Sequence, residues 1–149
     1  MQDNRQKDGV VVPAATVADS NAKKAKRRKT LPELPVYRAS ANMKFVIASM
    51  MTKAPRRLAK FYDEMLMTAS EVSKSIGLAD ISRSSDDRTW YINSAMTLTC
   101  ELRNDFTILL HLGVIGRDDD NKAKKLARNI IAQLVAWRGY ISGEGVNNR

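Results

Sequence analysis

No proline occurs after Pro55, so the last two-thirds of the chain lacks the residue that breaks helices outright. Along that stretch apolar residues recur at steps of three and four, the spacing that lays them on one face of a helix. Long helices with short connections bury such faces against their neighbours. The expectation is an all-α fold, an antiparallel up-down-up-down four-helix bundle.

The pattern places the bundle in residues 31–141, with helices of about 36–53, 55–76, 86–112 and 118–140. On the first, Val36, Ala39 or Ser40, Met43, Ile47 and Met50 share a face, while Phe45, Val46 and Met51 spill beyond it. A helix this apolar on several sides calls for burial on more than one, in its own bundle or against another subunit. Exposed Met67 and Trp90 would add to such a contact surface. Pro55 suits the first turn of the second helix, whose core face carries Leu58, Phe61 or Tyr62, Met65, Ala69, Val72 and Ile76, with Gly77 as its stop.

A polar connection leads to a cap at Ser84 or Ser85, with Asp86 and Asp87 in the first turn of the third helix. That helix would span ~40 Å at the standard rise. Its stripe reads Tyr91, Ala95, Leu98, Leu102, Asp105, Leu109 and Leu112, and Gly113 and Gly116 end it. Asp118 or a neighbour caps the fourth helix, with Ala123, Leu126 or Ala127, Ile130, Leu134 and Trp137 inward. Residues 142–149 read as a disordered polar C-terminal tail.

Residues 1–30 show low hydrophobicity and no usable period, and read as a disordered basic N-terminal tail. They carry eight basic and three acidic side chains, a net of +5 within a chain total of +9. Six of those cations are Lys23, Lys24, Lys26, Arg27, Arg28 and Lys29. With a pI near 9.9, this balance points to a polyanion, because Lys and Arg that neutralise phosphates release condensed counterions. Nucleic acid, RNA or DNA, is favoured over membrane, since neither a lipidation motif nor a basic amphipathic anchor is present. In the bundle, the candidate phosphate contacts are Arg56, Arg57 and Lys60, then Lys124, Lys125 and Arg128. Arg56, Arg57 and Lys60 lead because no acid follows them until Asp63. These contacts would position a backbone without reading sequence.

The motifs that carry catalysis are missing from the sequence. There is one cysteine, Cys100, which reads as core packing, and one histidine, His111, which reads as structural or surface. Together they cannot build a zinc site. Asp118, Asp119 and Asp120 are adjacent, so a helix sends them in different directions, and N-terminal capping explains them better than a metal. Small helical ribonucleases of the HEPN type place a His after an Arg with four to six residues between. Here Arg103 and His111 have seven between them. The expectation is no enzyme, no metal and no cofactor, in a reducing cytoplasm, since a lone cysteine makes no internal disulfide.

The segments Leu34-Pro-Val-Tyr-Arg38, Pro55-Arg56-Arg57, His111-Leu-Gly-Val-Ile115 and Ala136-Trp-Arg138 carry a resemblance across residues 31–141. They resemble the bundle family that includes the accessory variability determinants of diversity-generating retroelements. Proteins encoded in intervening sequences of bacterial large-subunit ribosomal RNA genes are similar in shape. The resemblance implies a ring-like homo-oligomer, a pentamer, with a basic surface that binds nucleic acid and a reverse transcriptase during mutagenic copying of template RNA. The polymerase chemistry would belong to that partner. The second reading is a structural helical-bundle interaction module in which only the tail meets polyanions.

Overall fold

The computed structural model describes residues 28–147. Among the described residues there are four long helices and no strand: α1 (Pro35–Thr52), α2 (Ala59–Ile81), α3 (Ser85–His111) and α4 (Arg117–Asn147). Single 3-10 turns, Leu31–Glu33 and Arg56–Leu58, precede α1 and α2. Each helix packs against two others, α1 on α2, α2 on α3, α3 on α4 and α4 back on α1, which closes a helical bundle. The compact unit that holds the four helices begins at Leu31. The expected disorder of residues 1–30 falls mostly on residues 1–27, outside the described residues, as do residues 148–149 of the expected C-terminal tail.

The core is a set of interleaved three-and-four stripes. On α2 the buried residues include Tyr62, Met65, Ala69, Val72 and Ile76, the expected face, with Tyr62 rather than Phe61 inward. On α1 both Ala39 and Ser40 are buried beside Val36, Met43 and Ile47. Ser40 lies at the α1–α2 seam, where its Oγ donates to the Tyr37 carbonyl at 2.7 Å and stands 2.8 Å from Ser73 Oγ. With the Ser40 proton committed to that carbonyl, Ser73 is the donor across the seam.

The stripe on α3 differs from expectation by one residue. Ile92, Ala95, Thr99, Leu102, Phe106 and Leu109 are buried, whereas Tyr91, Leu98 and Asp105 are half-buried and Leu112 is exposed. The two tracks share Ala95, Leu102 and Leu109 and both alternate three and four, so period alone does not choose between them. The shift also turns Cys100 outward, correcting the expected core packing: the seam takes Thr99, whose hydroxyl donates to the Ala95 carbonyl at 2.7 Å.

Glycines decide the helix ends only where the backbone demands them. Gly113, at φ +71°, closes α3: its N–H donates to the Leu110 carbonyl at 3.0 Å and the Val114 N–H to Leu109 at 3.0 Å. Gly77, expected as a stop, is interior to α2, because buried Ala79 continues the stripe one step past it and the helix ends only at Ile81. A Cβ there would stand 3.4 Å from Leu31 Cδ2, about van der Waals contact with the lead-in to α1. Likewise α4 runs through Gly139 and Gly143 to Asn147, correcting the expected tail over residues 142–147, since buried Ile141 extends its stripe.

The starts differ as well. Pro55 is extended (φ −59°, ψ 144°) and precedes the 3-10 turn, so α2 proper begins at Ala59. The Gly116 carbonyl accepts from the Asp120 N–H at 3.0 Å, putting Asp118 inside the first turn of α4 rather than at its cap. For α3 the cap is Ser84, whose Oγ accepts from the Asp87 N–H at 3.3 Å.

Candidate nucleic-acid interface

Lys53 ends α1, and Pro55 then turns the chain into Arg56–Leu58. Leu58 tucks against the core while Arg56, Arg57 and Lys60 stay exposed. Helix starts ordinarily favour acids, because the aligned peptide dipoles leave partial positive charge there. The other two long connections obey this: Asp86 and Asp87 open α3, and Asp118, Asp119 and Asp120 open α4. The start of α2 does the opposite. Its first turn holds no acid, Leu58 supplies no side-chain cap, and three cations crowd the positive end. Like charges against a helix dipole cost a few tenths of a kcal/mol or more each. An anion that meets these cations at the helix start would remove that cost, although the Leu58 and Ala59 N–H groups already donate to the Pro55 and Arg56 carbonyls.

A second cation group meets the first helix from α4. Lys53 and Lys122 line a groove of about 320 Å³ with Phe45, Val46, Ser49, Met50 and Asp119. Lys53 stands three residues before Arg56 and Lys122 two before Lys124, yet neither was among the expected contacts, because only packing brings the two together. Phe45 is 74% exposed. Asp119 partly offsets the two lysines here.

The expected α4 set divides. Lys124 is half-buried and pairs with Asp120 at 3.1 Å, which offsets part of its charge within the helix. Asp120 sits at a core position, 4% exposed, with its Oδ1 unpartnered. Lys125 and Arg128 are exposed. Arg28 and Lys29 are exposed too, while Lys23, Lys24, Lys26 and Arg27 lie outside the described residues.

Other ionisable groups lie apart. Arg103, His111 and Cys100 are exposed on α3. Asp118 and Asp119 are exposed where Asp120 is buried, so the acidic triplet diverges as a helix dictates. Among the described residues no three His, Cys, Asp or Glu side chains are grouped to hold a metal ion. No described helix is long and apolar enough to cross a membrane.

No family model matches this chain, and none of the curated proteins matches it.

Proposed function

We propose that this chain is a non-catalytic accessory protein that binds RNA or DNA through its phosphate backbone and serves a reverse transcriptase in mutagenic copying of template RNA. The observation that supports nucleic-acid binding is the start of α2, acid-free, uncapped and crowded by Arg56, Arg57 and Lys60. Lys53 precedes this cluster in the chain, and Lys122 faces Lys53 across the groove. The retroelement setting and the polymerase partner rest on the resemblance of residues 31–141. Within this reading the four helices run antiparallel, the protein works in the cytoplasm, and bundles assemble into a pentameric ring that multiplies the basic surface. Exposed Phe45 and Met67 supply apolar area for that assembly.

The test is RNA and DNA binding across a salt series, by the full chain and by a chain starting at Leu31, with mass from light scattering. Binding that persists from Leu31 with a steep salt slope supports the bundle as the platform. Replacing Arg56, Arg57 and Lys60 together by Ala should flatten the log–log slope by about 2 to 3 if each holds one phosphate. Co-purification with a co-expressed retroelement reverse transcriptase tests the partner. The second reading, an interaction module with polyanion contact in the tail alone, draws on the Lys124–Asp120 pair and on Asp119 in the lysine groove, which both reduce free positive charge on α4. Loss of all binding on removal of residues 1–30, with a monomeric bundle, would establish that reading instead.

A further inference from the structure

The seam between α2 and α3 differs in chemistry from the basic connection. Toward one end Leu78, Trp90, Tyr91 and Leu98 line an open groove of about 690 Å³, with Glu71 and Lys74 on its edge. Trp90 is 65% exposed, its ring edge-on to Tyr91 at 5.1 Å. One helical turn further along, the same seam continues as a groove holding Phe61, Glu64, Glu101 and Asp105. The two grooves are in register, since Thr68 and Glu71 follow each other on α2 as Thr97 and Glu101 do on α3. From Phe61 to Leu78 the furrow follows ~25 Å of α2 at the standard rise. Four carboxylates border it against one lysine, in a chain whose net charge is +9. Glu64, Glu71, Glu101 and Asp105 form no ion pair among the described residues.

We propose that the α2–α3 furrow is a docking site for a basic amphipathic helix of a partner protein, its apolar side on Trp90 and Leu98 and its Lys or Arg residues on Glu64, Glu71, Glu101 and Asp105. The charge selects the occupant. A phosphate backbone is repelled from this face, whereas a cationic helix meets acids that have no internal partner. Crowding already weighs on these acids: burial, then Glu101 and Glu64, push the Asp105 carboxyl above its usual range. The shape agrees, because a trough between two helices seats a third, and an exposed tryptophan at such a trough is a common anchor. This surface goes beyond nucleic-acid binding and stands whether or not the basic connection holds phosphate.

The experiment uses the full chain carrying Trp137→Phe, leaving Trp90 as its only tryptophan. Three synthetic peptides serve as probes: a Leu/Lys amphipathic helix, its Leu/Glu counterpart, and a scrambled Leu/Lys peptide without an apolar face. The Leu/Lys helix should bind and shift Trp90 emission to the blue, and the other two should not. Glu71→Lys with Glu101→Lys, and separately Trp90→Ala, should weaken binding by about tenfold or more, read from the anisotropy of a dye-labelled Leu/Lys peptide. Arg56→Ala with Arg57→Ala should leave it unchanged. These side chains are all exposed, and a thermal melt checks that each variant folds. Equal binding of the scrambled peptide, or indifference to charge reversal, overturns the proposal. Light scattering that shows a wild-type assembly dissolved by Trp90→Ala overturns it too, because the occupant is then a second copy.

Discussion

Tyr62 carries its hydroxyl into the core, where the oxygen is enclosed without a hydrogen-bond partner among the described residues. Burial, and then the charge of Asp119, raise the pKa of this phenol. An unmet buried hydroxyl costs about 1–3 kcal/mol, while the ring beneath it fills space that nothing else would. Tyr62→Phe should therefore hold or raise stability by about 1 kcal/mol, whereas Tyr62→Ala should lose about 3–5 kcal/mol, both read from urea unfolding. Asp105 poses a related problem with a pH signature. Its raised pKa means that the folded state holds the proton more tightly than the unfolded one, so stability is fullest below the ordinary value of 3.8 and falls as pH rises through the folded value. Asp105→Asn should accordingly raise the melting temperature at pH 7 and leave it unchanged below pH 3.8, and a melting series across that range checks the sign.

The helices were legible in the sequence to the extent that their periods were unambiguous. On α2, Met65, Ala69, Val72 and Ile76 admit one inward face, and the structure buries those four. On α3, Tyr91, Leu98, Asp105 and Leu112 recur every seven residues just as Ile92, Thr99 and Phe106 do. Which track faces inward depends on the neighbouring helices, and buried Thr99 hides its polarity in a bond to its own backbone. The basic site was half legible for the same kind of reason. Arg56, Arg57 and Lys60 cluster in the chain, whereas Lys53 and Lys122 are brought to one groove by packing of α4 on α1. Glycine carries a further lesson, and its predictions differ in sign by position. Gly113→Ala should cost about 1 kcal/mol or more, because a Cβ is strained at φ +71°. Gly139→Ala and Gly143→Ala should each add about 0.5–1 kcal/mol to α4, since a Cβ there meets nothing within 4 Å. Thermal melts of the three single variants test the contrast.

At the scale of the whole molecule, two faces of opposite character share one bundle, the basic connection before α2 and the acidic furrow between α2 and α3. A partner helix in the furrow and a phosphate backbone on the basic connection would bind at separate places, so the Leu/Lys peptide and a short RNA should not compete. Anisotropy with both labels present tests that independence. Both surfaces keep their form only if the helices hold their axial positions, and here the paired serines matter. Ser40 and Ser73 meet inside an otherwise oily seam, 2.8 Å apart. Sliding α1 along α2 by one turn, ~5.4 Å, would bring Ser40 opposite the level of Ala69 or Ile76; Ser40 would keep its bond to the Tyr37 carbonyl, but the Ser73 hydroxyl would lose its acceptor across the seam. The pair thus acts as a detent, favouring one seating of α1 on α2 over its neighbours a turn away.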